Sequence, residues 1–268
     1  MTALRPAALA FDAIASVFDH RFGEWQSVAA QRRVVRKALM QALPTGSRLL
    51  ELGGGTGEDA AFLAARGYHI HLTDASPAMA AAARGKLQHW GCPTDAVPAE
   101  EMEAFAAARL ADGLPPFDGA FSNFAGLNCV EDLAPTARGL ARLIRPGGSA
   151  ILVLFGTACP GEILVETLNG RALQALRRFR RGPAPARLGG RHFTVTYHRQ
   201  AEIVAAMAPH FRLKRRLGVG IFVPPSAAEP TISRHPRLLK ALEAMDRVAA
   251  TPLAVLGDHI LYEFQRLP

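Results

Sequence analysis

The feature that most constrains this chain is a glycine-rich loop between a predicted strand and a predicted helix. The strand, Arg48–Leu52, is short and apolar around Glu51, and residues 53–57 follow it with glycine at every second position. Glycines at that place let a ligand lie against bare backbone near the N-terminus of the next helix. This order predicts the ligand-binding start of an α/β fold with a parallel sheet.

Acidic residues around the loop exclude one common ligand and favour another. The dinucleotide fingerprint GxGxxG is not met, because its last glycine, counted from Gly53, falls on Glu58. Glu51 and Glu58 would repel a pyrophosphate, whereas an ammonium group suits an acid at Glu51. A second acid, Asp74, ends the next predicted strand 21 residues after Gly53. An acid at that spacing accepts the hydroxyls of a ribose.

Strands and amphipathic helices alternate around this loop. Further strands are predicted over 68–73, 94–98, 117–122 and 149–155, and helices over 28–43, 58–66, 77–90, 100–110 and 133–143. This alternation predicts a parallel sheet covered by helices on both faces. After residue 155 it ends, with helices predicted over 162–181, 200–208 and 236–248 and strands over 193–197, 211–223 and 259–265. The late strands predict an antiparallel edge on the sheet.

Length and composition exclude several other classes of protein. With 268 residues, 49% of them apolar, the chain can bury a large core and is neither disordered nor collagen-like. No stretch approaches the roughly 20 apolar residues of a transmembrane helix. The first ten residues hold too short an apolar run for a signal peptide. Scattered cysteines (Cys92, Cys129 and Cys159) fit a reducing compartment, so we expect the chain in the cytoplasm. Its length fits a single domain over 1–268.

The net charge of +8 is concentrated in one part of the chain. Residues 171–216 hold twelve basic residues and one acid, Glu202, so the remainder carries a slight negative charge. A solvated helical face explains such a segment. An acidic acceptor, an acidic carrier protein or an anionic membrane surface explains it as well, and the sequence leaves these alternatives open.

Four motifs together resemble the class I methyltransferases that use S-adenosylmethionine. They are Glu51-x-Gly53-x-Gly55-x-Gly57, Asp74, the strand 117–122, and Leu143-x-x-Pro146-Gly147-Gly148. The resemblance implies a Rossmann-like three-layer α/β fold whose seven-stranded, mostly parallel sheet has the order 3-2-1-4-5-7-6, with the seventh strand antiparallel. It also implies a helical lid over 1–44, a cofactor-binding core over 45–156, a variable acceptor-binding region over 157–258 and a last strand over 259–268.

The resemblance further assigns cofactor-binding roles to residues of this chain. The methionine part of the cofactor would lie at Glu51 and the loop, and the ribose at Asp74. The full set is Glu51, Gly53, Gly54, Gly55, Gly57, Asp74, Ala75, Met79, Ala99, Glu100 and Asn123. Where the family often has an acid after the third strand, this chain has proline and alanine, so Glu100 or Glu101 would meet the adenine amine. The product would be S-adenosylhomocysteine, and no metal is expected.

The acceptor site is expected to come from segments around that core. Candidate substrate-binding residues are Phe18, Phe124, Asn128, Tyr197 and His198, and no residue stands out as the general base. The segment Ser122-Asn123-Phe124-Ala125 lacks the prolines that nucleobase and amide methyltransferases of the family often carry. That absence favours a hydroxyl, amine or carbon of a small-molecule metabolite as the acceptor.

Two other functions stay open at this point. One is a methyltransferase that acts on RNA, a lipid or a carrier-bound acidic substrate through the basic segment 171–216, with nucleic acid the less favoured partner. The other is a cofactor-binding module without catalysis, which the complete loop and both acids disfavour. The sequence does not define the oligomeric state.

Overall fold

One seven-stranded sheet organises the chain in a computed structural model, which describes residues 4–268 except for the side chain of Ala172. The first three residues of the predicted lid over 1–44 lie outside the described residues. The strands of the sheet are β1 Arg48–Leu52, β2 His69–Asp74, β3 Thr94–Ala96, β4 Phe117–Ser122, β5 Ile144–Phe155, β8 Phe211–Val219 and β9 His259–Arg266, while β6 Pro183–Leu188 and β7 Arg191–Thr196 form a separate hairpin.

The strand order confirms the topology that the sequence motifs imply. The order is β3-β2-β1-β4-β5-β9-β8, with β1 to β5 parallel and β9 antiparallel to both of its neighbours. Since β8 and β9 are the sixth and seventh strands of this sheet, the order is the predicted 3-2-1-4-5-7-6. The carboxyl ends of β1, β2 and β4 therefore lie side by side at one edge of the sheet.

Helices cover both faces of the sheet. They are α1 Pro6–Asp12, α2 Phe18–Phe22, α3 Gln26–Ala42, α4 Glu58–Ala64, α5 Pro77–Leu87, α6 Met102–Ala111, α7 Ala134–Leu143, α8 Pro160–Leu168, α9 Ala172–Ala175, α10 Gln200–Met207 and α11 Pro236–Ala249. Successive side chains of β1 point to opposite faces of the sheet, so they belong to different halves of the core. Leu49 packs with α3, α4 and α5, and Leu50 packs with α6, α7 and α10. Within residues 4–268, no helix is long and apolar enough to cross a membrane.

The region after β5 departs most from the sequence-based expectation. The prediction of one helix over 162–181 is wrong, because the chain forms α8, then α9, then a 3-10 turn at Arg177–Phe179. Gly170, with φ of +71°, adopts a left-handed conformation just after α8 and separates the two helices. The strand predicted over 211–223 is also shorter than expected. It ends at Val219, because Gly220 adopts a left-handed conformation with φ of +70°.

The hairpin of β6 and β7 was only half predicted. The strand predicted over 193–197 corresponds to β7. No strand was predicted at β6, because proline, here at 183 and 185, is uncommon within strands. Proline is tolerated there because β6 pairs on one side only, with β7. Gly189 and Gly190 form the connection, and both have positive φ, as a two-residue hairpin turn requires.

The basic residues of segment 171–216 do not form one continuous patch. Several of them pair with acids from outside the segment, as Arg171–Glu166, Arg177–Glu162, Arg178–Glu162, Arg178–Asp258 and Arg215–Glu263. Others lie on β8, the edge strand of the sheet, where charged side chains oppose pairing with a further strand. The fold therefore neutralises part of the charge that the sequence concentrates there.

Candidate active site

A cavity of about 400 Å³ lies at the carboxyl ends of β1, β2 and β4. Open parallel sheets bind ligands at this edge, and the volume suits a small molecule. The glycine loop lines one side of the cavity, and α1 and α2 supply residues to the other. Ten residues predicted to bind the cofactor line it together, namely Glu51, Gly53, Gly54, Gly55, Asp74, Ala75, Met79, Ala99, Glu100 and Asn123.

Two glycines of the loop have different structural tasks. A Cβ on Gly54 would lie 2.5 Å from Leu72 Cδ1 and 2.9 Å from Glu51 Cδ, so glycine lets the loop pass close to these side chains. Gly57 does not line the cavity. Its φ is +82°, and a Cβ there would lie 3.2 Å from the Cβ of Ala83, so Gly57 lets α4 begin against α5.

The side chain of Glu51 is buried without a neutralising partner. Its exposure is 2%, and Oε2 accepts no hydrogen bond within the described part of the chain. Burial, reinforced by the negative charge of Asp59 and Asp74, raises the pKa of Glu51 well above its ordinary value. Because Glu51 also lines the cavity, its carboxyl offers a hydrogen-bonding site that a cationic ligand group would complete.

Asp74 ties the glycine loop to the end of β2. Its Oδ2 accepts a hydrogen bond from the backbone N–H of Gly55 at 2.8 Å, and its Oδ1 accepts one from that of Ser76 at 2.8 Å. Burial raises the pKa of Asp74, although both backbone hydrogen bonds lower it. Each carboxylate oxygen can accept a second hydrogen bond, so Asp74 can hold the loop and a ligand hydroxyl together.

A buried network around Asp59 completes the cavity wall. Asp59, in the first turn of α4, accepts hydrogen bonds from Arg32 Nη1 at 3.0 Å, Arg36 Nε at 2.6 Å and Asn123 Nδ2 at 2.8 Å. The Arg32 guanidinium also lies 4.7 Å from the centre of the Phe124 ring. Arg32 and Asp59 line the cavity, and the sequence analysis missed both. The signal was present, since Asp59 follows the glycine loop and the two arginines stand four apart on α3.

The backbone is strained where β4 enters the cavity wall. Phe124 and Ala125 have φ of +48° and +60°, a region that residues other than glycine rarely adopt. Asn123 Oδ1 accepts a hydrogen bond from the N–H of Phe124 at 2.8 Å and so holds this turn. Strain of this kind concentrates at functional sites, and here it presents Phe124 to the cavity.

Acidic residues of the N-terminal helices attach them to the cavity rim. Asp12, at the end of α1, accepts hydrogen bonds from Ser76 Oγ and from the N–H of Ala78. Asp19, on α2, accepts hydrogen bonds from Thr56 Oγ1 at 2.5 Å and from Lys86 Nζ at 2.7 Å. These contacts hold α1 and α2 against the glycine loop and α5.

The residues predicted to bind the acceptor divide into two groups. Phe18 and Phe124 line the cavity, together with Phe11 from α1 and Thr194 from β7. Phe11 lies 6.4 Å from Phe18, measured between ring centres. The lining of the cavity therefore combines three aromatic rings with the carboxyl groups of Glu51 and Asp74.

Asn128, Tyr197 and His198 do not line this cavity. Asn128 is fully buried and joins two segments, since Nδ2 donates to the carbonyl of Thr196 at 2.6 Å and Oδ1 accepts from the N–H of Phe155 at 3.0 Å. Tyr197 and His198 line a second cavity, of about 460 Å³, beside the hairpin of β6 and β7.

Six carboxyl groups line the first cavity, those of Glu51, Glu58, Asp59, Asp74, Glu100 and Glu131. Burial raises the pKa of the Cys129 thiol to about 12, so it stays protonated near neutral pH. Glu100 lines the cavity and pairs with Arg5 at 3.2 Å, whereas Glu101 is exposed and does not line it. Among residues 4–268, no histidine lines this cavity and no cluster of His, Cys, Asp or Glu has the arrangement of a metal site.

Comparisons with known proteins agree with this geometry. Residues 49–148 match the sequence model of a family described as "Methyltransferase domain". This range contains β1 to β4, the glycine loop and Asp74. No characterised protein in the curated collection matches the chain in sequence.

Several solved structures share the fold. The CcbJ methyltransferase from Streptomyces caelestis aligns with a TM-score of 0.57 at 16% identity, over 97% of this chain and 98% of that one. A 1,6-didemethyltoxoflavin-N1-methyltransferase from Burkholderia thailandensis, solved with 1,6-didemethyltoxoflavin and S-adenosylhomocysteine, aligns at 0.54 and 19% identity, over 97% and 88%. An S-adenosylmethionine-dependent methyltransferase from Mesorhizobium loti aligns at 0.52 and 19% identity, over 86% and 96%.

Proposed function

We propose that this chain, which belongs to the class I, S-adenosylmethionine-dependent methyltransferases, methylates a hydroxyl, amine or carbon of a small-molecule metabolite. The observation that carries this proposal is the buried carboxyl of Glu51, whose Oε2 has no partner although the side chain lines the cavity. The ammonium group of S-adenosylmethionine would supply the missing charge, since buried carboxylates need a cationic or hydrogen-bonding partner.

The charges around the cavity match the parts of this cofactor. Glu51 would hold its ammonium group, Arg32 its carboxylate and Asp74 its ribose hydroxyls. Arg32 suits that task because its guanidinium is already fixed by Asp59 and can bind a carboxylate with several N–H groups at once. Contacts to the adenine would come from Ala75, Met79, Ala99 and Glu100.

When bound, the cofactor supplies an electrophilic methyl group on a sulfonium. The chain's own task is then to align an acceptor atom in line with that methyl group and to exclude water. The lid contacts of Asp12 and Asp19 close α1 and α2 over the loop, and the strained turn at Phe124 gives the cavity a fixed aromatic wall. A hydroxyl acceptor would also need to lose its proton, and we assign no base.

The aromatic residues of the cavity favour an acceptor with an apolar or ring-shaped part. Phe11, Phe18 and Phe124 line the cavity, and Thr194 adds a hydroxyl to the lining. The Burkholderia neighbour, solved with a small-molecule acceptor bound, supports this class of substrate. The identity of the acceptor atom stays open between oxygen, nitrogen and carbon.

Calorimetry and mass spectrometry test the proposal in two steps. The purified chain is first titrated with S-adenosylmethionine and with S-adenosylhomocysteine, and we expect both to bind. It is then incubated with a metabolite extract and methyl-labelled cofactor, and we expect a product heavier by one labelled methyl group. The variant D74A, which should bind the cofactor more weakly, serves as the control and should form less of this product. If the wild-type chain binds neither compound, the proposal is wrong.

The basic segment 171–216 supports an alternative acceptor that is acidic, such as a lipid or a carrier-bound substrate. RNA is the weaker possibility, because several arginines of the segment pair with buried acids. Charge reversal at the exposed Arg187 and Arg191 of the hairpin should change acceptor affinity without changing cofactor affinity. Equal losses of both would contradict the division into core and variable region, which stays a prediction, as does the cytoplasmic location.

A further inference from the structure

Helix α8 is oriented with its acids inward and its leucines outward. Glu162 and Glu166 are buried, with 2% and 4% exposure, whereas Leu164 and Leu168 are 60% and 78% exposed. Residues four apart share a side of a helix, so α8 carries one acidic stripe and one leucine stripe. An amphipathic helix normally buries its apolar stripe, and α8 does the opposite.

Ion pairs fix α8 in this orientation. Arg178 is buried, and its guanidinium donates to both Glu162 and Asp258. Arg177 pairs with Glu162 at 2.8 Å, and Arg171 pairs with Glu166 at 2.5 Å. Turning the leucines inward would expel the acids and remove Glu162 from buried Arg178, which is costly. The outward leucines are therefore a consequence of the native packing.

The apolar surface continues beyond α8. Leu173, on α9, is 91% exposed, and Leu176 and Phe179 are 57% and 53% exposed. We name the set of Leu164, Leu168, Leu173, Leu176 and Phe179 the leucine surface. Soluble monomers rarely expose so many large apolar side chains within one short segment. None of the five lines either cavity described above, so the surface is separate from the candidate active site.

Unpaired basic residues border the leucine surface. Arg180 and Arg181 directly follow Phe179 and are exposed. Neither forms an ion pair with an acid in the structure as described over residues 4–268, in contrast to Arg177 and Arg178. The sequence has no acidic residue between Glu166 and Glu202. Both arginines also line the second cavity together with the acids Glu131, Asp132 and Glu202, so their charge is partly offset there, although no ion pair forms in the described residues.

We propose that the leucine surface docks on an anionic membrane, with its apolar side chains at the headgroup boundary and Arg180 and Arg181 on the lipid phosphates. Apolar area and basic charge act together in such binding. Charge complementarity to an anionic surface selects this partner over a second copy of the chain. A second copy of the chain carries the same net charge of +8, and like charges repel.

The shape of the surface also favours a bilayer over an acidic protein. The five side chains project from two short helices and a turn instead of lining a groove, and protein partners of apolar helices commonly use grooves. A bilayer accepts projecting side chains without a complementary shape. This inference does not depend on the acceptor that the cavity binds, and it would place the chain at a membrane surface without a membrane-spanning helix.

Vesicle sedimentation tests the proposal on the full chain. We expect the wild type to sediment with vesicles of phosphatidylglycerol and phosphatidylcholine in equal parts, and much less with phosphatidylcholine alone. The double variant L168E/L173E should bind the anionic vesicles at least about tenfold more weakly, because burial of one leucine already provides such a factor. The variant R180E/R181E should lose the preference for phosphatidylglycerol.

Matched controls separate docking from other causes. L110E/L114E changes two leucines of similar exposure, 53% and 43%, outside the leucine surface, and it should bind the vesicles like the wild type. The proposal is overturned if the wild type ignores anionic vesicles or if L168E/L173E binds them equally well. It is also overturned if, without vesicles, the wild type is a dimer that L168E/L173E dissociates, or if an acidic carrier protein binds these leucines and vesicles do not.

The proposed methyltransferase function is tested separately from membrane docking. All of these substitutions lie outside the first cavity, so affinity for S-adenosylmethionine should stay at the wild-type value in each variant. Failure to bind vesicles with intact cofactor binding would overturn the docking proposal alone. Failure to bind the cofactor would contradict the proposed function and leave the vesicle result standing.

Discussion

Replacing Glu51 with glutamine should have opposite effects on cofactor affinity and on the stability of the free protein. The substitution E51Q keeps the shape of the side chain and removes its charge. In the free protein, Glu51 is 2% exposed and its Oε2 has no hydrogen-bond partner in the described residues. The carboxylate therefore destabilises the empty cavity, and it becomes favourable only when an ammonium group pairs with it.

The structure sets the size of both effects. One hydrogen bond to a charged group contributes about 1.5–3 kcal/mol, so E51Q should weaken S-adenosylmethionine binding by about 10- to 150-fold. Removal of the buried charge should stabilise the free protein by about 1–3 kcal/mol near pH 8, because an unpaired buried carboxylate costs more than the neutral amide that replaces it. For a chain of this length, each kcal/mol raises Tm by about 2–4 °C.

The pH dependence follows from the raised pKa of Glu51. Because the folded-state pKa lies above the ordinary 4.5 of an unfolded chain, the free wild-type protein loses stability as pH rises from about that value through the folded pKa. E51Q lacks this loss, so the two proteins should have similar Tm at pH 4 and different Tm at pH 8. At a pH below the folded-state pKa of Glu51, binding of an ammonium group by the wild type should also release a proton.

Calorimetry in buffers of different ionisation enthalpy measures proton release and affinity together, and thermal unfolding gives Tm at each pH. The variant E101Q is the matched control, since Glu101 is exposed at the same edge of the sheet and does not line the cavity. The reasoning is refuted if E51Q binds the cofactor as tightly as the wild type, or if the free E51Q protein is less stable than the wild type at pH 8.

Three further predictions concern the loop, the buried ion pairs and the lid. D74A removes the acceptors for two backbone N–H groups, so it should destabilise the protein by about 1–3 kcal/mol. It should also weaken cofactor binding at least about tenfold. Unchanged affinity in calorimetry would contradict the ribose role of Asp74. R178M removes the guanidinium between two buried acids, Glu162 and Asp258, and leaves them only their contacts to Arg177 and His259, so it should cost about 3–5 kcal/mol in urea unfolding. That deficit should shrink as pH falls below about 4, because Asp258, whose pKa the paired Arg178 and His259 hold below its usual range, can then be protonated. D19A removes the lid contacts to Thr56 and Lys86, so stopped-flow measurement should show cofactor dissociation several times faster while stability changes by at most about 1 kcal/mol; an unchanged dissociation rate would exclude a lid role for this contact.

Local sequence patterns were sufficient to predict the core of the fold and the residues of the candidate site that follow the parallel strands. Strands β1 and β4 agree with their predicted bounds. A short apolar segment between turn residues is enough to identify a buried strand without knowledge of its partners. Ser76 accepts a hydrogen bond from the N–H of Met79 at 3.0 Å, as the predicted helix start requires. Ten of the predicted cofactor residues line one cavity, since each lies at the carboxyl end of a strand of the parallel sheet or within a few residues after it.

The sequence by itself determined the order of strands and helices, the glycine loop, the two acids beside it and the resemblance that they carry. Only the tertiary structure decided that Asp59 joins Arg32 and Arg36, that Asn128 holds two segments together, and that the leucines of α8 face outward. These depend on partners far apart in the sequence. The apolar pattern of a helix predicts its buried side only when the helix packs against apolar neighbours, and α8 packs its acids against buried Arg178 instead.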